Sequence, residues 1–467
     1  MNQAPLQAGL VFWTFGFLGV VQSPSMATTL LRGGRIIDPA QQIDHTGDVL
    51  VCDGEIVQLS DSPITVEGDD VIDCDGCIVS PGLIDIHVHF REPSGGKHEE
   101  TIATGSAAAA NGGFTTVCTM PNTTPAIDTP EKIKESITES KRVGLCRVLP
   151  TGCATAGRKG ELLAPIPAMA DAGAIGFTDD GCVIEDDAMM AAVLVEAKAA
   201  DRFVMQHCQD PKTTIGGVMH EGAVQQELGY GAWPRIAEES IIARDIATNE
   251  SIGARWHAQH LSSGGSIDLI RRARNNGHPI SGEASPHHLL LTDLACKELG
   301  TMAKMNPPLR EQSDIDSIKE GIGDGTITIL ATDHAPHPLH TKDVPFPDAS
   351  FGIVGLDCAL ALYAKALIDD SVLDWTSMLT MMTANPANLI GRTDLGSLKV
   401  GGTADITIID PSTEWTIDMT TFASTGRNCP FHGWIVHARS IATMFGGKLT
   451  SHCLGDRAIH CNLPEVV

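Results

Sequence analysis

The chain has 467 residues, of which 42% are hydrophobic and 19% charged, and its formal net charge is -26 at pH 7. This length suits one large α/β barrel with a smaller domain, or three domains of average size. The negative charge opposes extended contact with nucleic acid or an anionic membrane surface, and we expect neither partner. The 13 cysteines are scattered, which excludes a dense secreted disulfide scaffold and favours the reducing cytoplasm.

The first 25 residues differ from the rest of the chain. An apolar run at 9–21 is too short for a comfortable transmembrane helix, and no Lys or Arg precedes it. No clear signal-peptidase site follows it. A strand-and-turn pattern begins at Thr28, so we predict that the working protein starts near Met26. Residues 1–25 would then be an extension outside the core, disordered or absent in the functional protein.

Short strands with turn signals occupy both ends of the chain. In the first of these regions, residues 28–75, Asp53 and Gly54 separate two apolar runs and form a hairpin signal. Short strands separated by turn signals occur again between residues 401 and 450. The simplest arrangement is that these two segments pair with each other and form one small domain beside a central domain. The prediction is a small β-sandwich built from residues 26–78 and 395–455.

Between these segments, strand and helix patterns alternate, which is typical of parallel βα units. Helical patterns include 103–110, 187–200, 236–248 and 266–276. Eight units make a (β/α)8 barrel of the TIM type, in which the chemistry lies at the carboxyl ends of the strands. We therefore predict an α/β protein with such a barrel over residues 79–394. The predicted strands end near His89, Asn122, Ala154, Asp180, His207, His260, His287 and Asp333.

Histidines and aspartates are concentrated at these predicted strand ends. Side chains two residues apart leave the same face of a strand, so His87 and His89 can reach one metal ion. Zinc accepts nitrogen and oxygen ligands, and two ions that share a carboxylate and a hydroxide would use all six candidates. These candidates are His87, His89, Asp180, His207, His260 and Asp333.

Each candidate also has a purely structural interpretation. His207 and His260 lie in apolar strands, where a lone histidine is more often a hydrogen-bonded core residue. Asp180, beside Asp179, could instead cap the helix that follows. Because several such coincidences at one barrel face are improbable, the metal centre is the preferred interpretation.

The runs 85–93 (DIHVHFREP) and 331–342 (ATDHAPHPLHTK) resemble the two signature motifs of dihydroorotases, in the amidohydrolase superfamily. The segments 177–181 (FTDDG), 304–310 (KMNPPLR) and 351–356 (FGIVGL) resemble the bacterial class I form. The resemblance extends from about residue 29 to 450. It implies a metal-dependent catalytic barrel.

The resemblance also implies how two zinc ions are held. Many relatives use a carboxylated lysine as the bridging ligand, whereas the class I pattern has an aspartate. Asp180 is preferred over the neighbouring Asp179 because its spacing to His207 matches the family pattern. The resemblance assigns His87, His89 and Asp333 to one zinc ion, His207 and His260 to the other, and Asp180 to both.

Substrate contacts are implied in the same way. The substrate of a dihydroorotase carries a carboxylate, for which Arg91 offers a bidentate fork. Without the resemblance, Arg91 would be interpreted as a surface partner of Glu92 or Glu99. Asn122 and His337 would add neutral donors. The implied substrate-binding residues are His89, Arg91, Asn122, Asn306, His337, Phe351 and Gly352.

The implied reaction is the reversible cyclisation of N-carbamoyl-L-aspartate to L-dihydroorotate with release of water, in de novo pyrimidine biosynthesis. A metal-bridging hydroxide would be the nucleophile in the hydrolytic direction, and Asp333 the general base and then the general acid. Some class I relatives assemble with aspartate transcarbamoylase. A complex with that enzyme and a homo-oligomer therefore both stay open.

Three alternatives are kept. A hydantoinase-like or allantoinase-like enzyme is disfavoured by Arg91, and by Asp180 where those relatives are expected to have lysine. A non-catalytic dihydroorotase-like partner of aspartate transcarbamoylase would have lost metal ligands, whereas all six positions are filled. A metal-storage or metal-sensing protein is disfavoured because the sequence has no His-rich or Cys-rich tract.

Overall fold

The computed structural model describes residues 28–66, 70–93, 99–454 and 457–459. The predicted extension, residues 1–25, lies outside this range. None of the helices in the described part has the length and hydrophobicity that crossing a membrane requires. The chain forms a mixed α/β structure.

The strands are short, and most α helices lie between strands of the central region. The strands are β1 Thr28–Asp38, β2 Ile43–Cys52, β3 Glu55–Ser60, β4 Asp70–Asp73, β5 Ile78–Pro81, β6 Leu83–Val88, β7 Phe114–Thr119, β8 Arg147–Pro150, β9 Gly176–Phe177, β10 Phe203–Gln206, β11 Met219–His220, β12 Ala232–Trp233, β13 Trp256–Ala258, β14 Ile280–Ala284, β15 Ile329–Leu330, β16 Ile406–Asp410, β17 Trp415–Thr416, β18 Ile435–Val436, β19 Arg439–Phe445, β20 Lys448–His452 and β21 Ala458–Ile459. The α helices are α1 Ile102–Gly112, α2 Pro130–Val143, α3 Ile166–Ala172, α4 Asp187–Ala199, α5 Ala223–Leu228, α6 Ile236–Asn249, α7 Gly264–Asn275, α8 Pro286–Leu290, α9 Leu294–Glu298, α10 Gln312–Gly323, α11 Ala359–Tyr363, α12 Trp375–Met382 and α13 Ala384–Leu389.

Strands from both ends of the chain form one nine-stranded sheet. Its order is β20-β19-β16-β5-β1-β2-β3, with β4 paired to β1 and β21 paired to β4. The sheet forks at β1, because the first part of β1 pairs with β4 and a later part pairs with β5. Buried side chains of both ends share one core, among them Ile36, Val49, Val79, Ile406 and Met444. This sheet includes β5, which runs to Pro81, three residues beyond the boundary at 78 that the sequence suggested.

The central region contains parallel strands in two groups. One group has the order β6-β7-β8 and the other β15-β14-β13-β10-β9. Single parallel bridges join Gly152 to Phe177 and Val88 to His334, so each edge of one group meets an edge of the other. Strands β6 and β10 are buried along their whole length, as expected for parallel strands covered on both faces.

Helices cover these parallel strands from outside. Neighbouring helices pack side by side, α1 with α2, α2 with α3, α3 with α4, α4 with α6, α6 with α7 and α7 with α10. Helix α1 begins with a capping box between Thr101 and Thr104. It also approaches the end of β6 closely, because a Cβ atom at Gly105 would lie 2.2 Å from the ring of Phe90. This close packing supports the strand end that carries His87 and His89.

Candidate metal centre

The six predicted metal ligands meet at the carboxyl ends of the parallel strands. Each of them is buried, with at most 6% of its surface exposed. Five follow the end of a strand and one is the penultimate residue of its strand. His87 lies in β6, His89 follows β6, Asp180 follows β9, His207 follows β10, His260 follows β13 and Asp333 follows β15.

The ligand atoms of these residues form two overlapping groups. Atoms of His87, His89 and Asp333 all lie within 4.8 Å of one another, as do atoms of His87, Asp180 and His260. Nε2 of His89 lies 2.9 Å from Oδ1 of Asp333. Nε2 of His87 lies 3.5 Å from Oδ1 of Asp180 and 3.4 Å from Oδ1 of Asp333. The two groups therefore share His87 and lie side by side.

The chemistry of this donor set fits divalent cations. Nδ1 of His207 faces Nε2 of His260 at 2.8 Å, so two buried nitrogen donors point at one place. Burial by itself lowers the pKa of His87, but the carboxylates of Glu283 and Asp333 outweigh it and raise the pKa well above its usual value. The carboxylates around His87 therefore favour positive charge at this imidazole, and a metal ion bound there would supply such a charge.

The neighbouring aspartates 179 and 180 point to different partners. Oδ1 of Asp179 accepts hydrogen bonds from the backbone amides of Ala154 and Thr155, and Oδ2 accepts one from the Thr155 hydroxyl. Asp180 instead faces the imidazoles of His87 and His89. The cap of the following helix, α4, is Asp186, so the capping interpretation of Asp180 is wrong.

Glu283 is a functional residue that the sequence analysis missed. Its Oε1 lies 2.5 Å from Nδ1 of His87 and accepts a hydrogen bond from the backbone amide of His260. Its Oε2 lies 3.0 Å from Nε2 of His257. Nδ1 of His257 in turn lies 2.7 Å from the hydroxyl of Ser281. The only sequence signal was a carboxylate inside the buried strand β14.

Asp85, which precedes the two histidines, binds backbone and hydroxyl groups. It accepts hydrogen bonds from the hydroxyl and the amide of Thr332 and from the amide of His87. It therefore joins the chain at β6 to the chain just before Asp333. Both carboxylates, Asp85 and Glu283, hold parts of the centre in place from outside the cluster.

A cavity of about 310 Å³ opens above the cluster. Asp180, His207, His260 and Asp333 form its floor, and His87 is buried. All seven predicted substrate-binding residues line this cavity. They are His89, Arg91, Asn122, Asn306, His337, Phe351 and Gly352.

Polar contacts connect the cavity wall to the cluster. The Asn122 amide group donates to Oδ2 of Asp180 at 3.0 Å, and its oxygen lies 3.0 Å from Nδ1 of His89. Arg91 donates to Nε2 of His337 at 3.5 Å. Burial, reinforced by Arg91, lowers the pKa of His337 to about 3, so this imidazole is neutral near pH 7. The carboxylate of Glu92 accepts from the backbone amide of Ile102.

The comparisons identify this protein, with its buried histidines and aspartates at the ends of parallel strands, as an amidohydrolase. The model of the Amidohydrolase family matches residues 297–450, and the model described as Dihydro-orotase-like matches residues 76–266. The dihydroorotase of Geobacter sp. is 43% identical over 420 residues, which cover 90% of this chain and 98% of the relative. The dihydroorotase of Pelotomaculum thermopropionicum is 42% identical over 430 residues, covering 92% and 99%. The chain therefore belongs to the dihydroorotase family.

Solved structures agree with this fold. The L-hydantoinase (dihydropyrimidinase) from Arthrobacter aurescens has a TM-score of 0.81 at 24% identity, covering 91% of this chain and 96% of that one. The dihydropyrimidinase from Brevibacillus agri has a TM-score of 0.79 at 20% identity, covering 91% and 95%. The family model and the dihydroorotase relatives show that the protein is an enzyme of the cyclic amidohydrolase type, and with the histidine–aspartate cluster they imply a metal cofactor.

Proposed function

We propose that the protein is a dihydroorotase, which reversibly cyclises N-carbamoyl-L-aspartate to L-dihydroorotate with release of water in pyrimidine biosynthesis. One observation carries this proposal. The guanidinium of Arg91 and the histidine–aspartate cluster line the same cavity, so a carboxylate can be bound beside the reacting carbonyl. The relatives named dihydroorotase support it.

The fold proposal follows from the strand order. The eight parallel strands β6 to β10 and β13 to β15 would form a (β/α)8 barrel within residues 79–394, and the two single bridges between their edges support closure. Residues 26–78 and 395–455 would form the small β-sandwich domain, which the core shared by both chain ends supports.

The cluster would hold two zinc ions per subunit. His87, His89 and Asp333 would bind one ion, and His207 and His260 the other, with Asp180 between them. When bound, such ions make hydroxide available near neutral pH and polarise the carbonyl that is attacked. The grouping of His87 with His89 and Asp333, and the 2.8 Å between Nδ1 of His207 and Nε2 of His260, support this division.

The other residues bind and orient the substrate or move its proton. Arg91 would bind the ring carboxylate, while Asn122, Asn306 and His337 would contact its polar groups, with the backbone at Phe351 and Gly352. Asp333 would take the proton of the attacking water and return it to the leaving nitrogen. In the synthetic direction the same residue would act in reverse.

The hydantoinase alternative rests on fold likeness alone, since those structures are less than 25% identical. Arg91 and an aspartate at position 180 favour the dihydroorotase. We also propose that the protein acts on a small-molecule substrate in the cytoplasm. Two assemblies remain to be tested, a homo-oligomer and a complex with aspartate transcarbamoylase. The proposal includes no nucleic acid or membrane partner.

The test is ring opening of L-dihydroorotate by purified protein, followed by ultraviolet absorbance beside hydantoin, dihydrouracil and allantoin. Turnover of dihydroorotate that a chelator abolishes and zinc restores is the expected result. If the protein preferred a ring without a carboxylate, the result would favour a hydantoinase-like enzyme over a dihydroorotase. Inactivity on all four rings, with metal bound, would indicate a non-catalytic partner protein.

A further inference from the structure

Two separate stretches of chain contribute to one part of the cavity wall. One follows Asp333 and carries His337, and the other carries Phe351 and Gly352. A single parallel bridge joins His334 to Ile353, and the backbone amide of Ser350 donates to the oxygen of Thr341 at 3.0 Å. Between these two backbone links, peptide groups of both stretches form hydrogen bonds with a side chain from a third segment.

Asn428 provides this side chain. Its side-chain nitrogen donates to the backbone oxygens of Ala335 and Gly352, both at 2.9 Å. Its side-chain oxygen accepts from the backbone amide of His337 at 3.0 Å. The Asn428 side-chain amide can satisfy these three groups in one orientation only. Its nitrogen must face the two carbonyl groups, and its oxygen must face the N–H group.

The segment that carries Asn428 is itself firmly packed. Asn428 is completely buried, and its backbone oxygen accepts from the amide of Val354 at 3.2 Å. At Gly426, two residues earlier, a Cβ atom would lie 2.7 Å from Cβ of Pro336. The hydroxyl of Ser424 donates to the buried carboxylate of Glu100. This segment belongs to residues 411–434, outside the motifs that carry the family resemblance.

Gly352 needs this support because its conformation is unusual. Its φ of +138° lies in a region that side-chain-bearing residues rarely adopt, and a Cβ atom there would lie 2.8 Å from the oxygen of Ala335. Its amide donates to the backbone oxygen of Lys304 at 3.1 Å. The peptide groups on both sides of its Cα are thus fixed, one by Lys304 and the other by Asn428.

We propose that Asn428 is a positioning residue for substrate binding, which sets the places of the His337 and Gly352 backbones in the cavity wall. This inference rests on the proposed function, because both residues contact substrate only in that scheme. Asn428 does not touch the metal ligands, so it acts on substrate affinity rather than on metal binding.

Asn428→Asp is the informative change because it keeps the shape and replaces two donors with a carboxylate oxygen that faces two carbonyl oxygens. The matched control is Asn249→Asp. Asn249 is also buried, and its side chain bridges both the oxygen and the amide of Ala254, at 2.8 and 2.9 Å, in the loop after α6. Both variants place a carboxylate in a comparable backbone clamp.

The measurements are kcat and KM for L-dihydroorotate, metal content, and amide hydrogen exchange in residues 335–354. For Asn428→Asp we expect KM to rise about tenfold or more and kcat to change less than about threefold. Metal content should stay at the wild-type level, and exchange should increase at His337 and Gly352. Asn249→Asp should leave KM and exchange in this segment unchanged, even where it lowers stability.

A wild-type KM in Asn428→Asp, or an equal loss of activity and metal in both variants, would overturn the inference. Should Asn428→Asp not fold, Asn428→Ser and Asn249→Ser provide the same comparison. If wild-type protein does not open dihydroorotate, the proposed function fails. Hydrogen exchange in the wall then decides separately whether Asn428 anchors it.

Discussion

Nδ1 of His87 lies 2.5 Å from Oε1 of Glu283, although the two residues are 196 positions apart in the chain. The same oxygen accepts the backbone amide of His260. One carboxylate therefore orients two proposed ligands of different ions without being a ligand itself. Burial raises the pKa of Glu283, but His87 and His257 outweigh it and lower the pKa to about 2.

Glu283→Gln should weaken metal binding by about 10- to 100-fold, since a neutral amide orients and polarises the His87 ring less well than a carboxylate. Competition with a chelator measures this affinity without any activity assay. Asp245→Asn is the control, because Asp245 is a buried carboxylate bonded to Arg244 on the outer helix α6. Equal metal affinity in Glu283→Gln and wild-type protein would contradict the orienting role.

Asp333→Asn should keep most of the metal but lower kcat by at least about 100-fold, because an amide cannot accept and return the proton. Metal content and steady-state turnover of dihydroorotate are measured on the same preparation. An enzyme that stays fully active would rule out the proton-transfer role of Asp333.

Arg91→Lys keeps the charge but loses the fork that matches a carboxylate. We expect KM for dihydroorotate to rise about 10- to 100-fold, the range for loss of a charge-assisted hydrogen bond. Dihydrouracil, which has no carboxylate, should be affected little and serves as the control substrate. Equal effects on both rings would show that Arg91 does not recognise the carboxylate.

Lys342 should make stability depend on pH. It is 2% exposed, its ammonium group donates to the oxygens of Thr301 and Lys304, and burial, with Lys304 nearby, lowers its pKa from 10.5 to about 7. Between these values the unfolded chain binds the proton and the native protein does not. The free energy of unfolding should therefore rise with pH from about 7 to 10.

Lys342→Met should reduce this rise by at most about 1.4 kcal/mol per pH unit, the slope that a single proton contributes. Urea unfolding is measured on protein whose metal has been removed by a chelator, at several pH values between 7 and 9. It gives the slope of the free energy of unfolding against pH for wild-type protein and for Lys342→Met. Lys297→Met is the control, since Lys297 is exposed and pairs with Glu227. Identical slopes for wild-type protein and Lys342→Met would show that Lys342 does not titrate in this way.

Local signals in the sequence were sufficient for several elements. The predicted helices 187–200 and 236–248 correspond to α4, Asp187–Ala199, and α6, Ile236–Asn249. The predicted strand before His207 corresponds to β10, which is buried throughout and begins with three apolar residues. These features depend on hydrophobic pattern and capping over a few residues, which the local sequence carries in full.

The candidate site could also be anticipated in large part. The six predicted ligands and seven predicted substrate-binding residues were chosen from strand ends and from motifs, and all of them except the buried His87 line one cavity. Parallel strands make this convergence inevitable, because all their carboxyl ends lie on the same side of the fold. The roles of these residues remain predictions.

The family spacing favoured Asp180 over Asp179, but only the tertiary structure gave the physical difference, because the two adjacent carboxylates have different surroundings. It alone revealed Glu283 and Asn428, whose partners lie 196 and 76 to 93 positions away in the chain. The fork in the sheet formed by the two chain ends also depends on pairing between strands that are far apart in the sequence. The local sequence determines where each helix or strand ends and which residues lie there. The hydrogen-bond partners of a buried polar group depend instead on how distant segments of the chain pack.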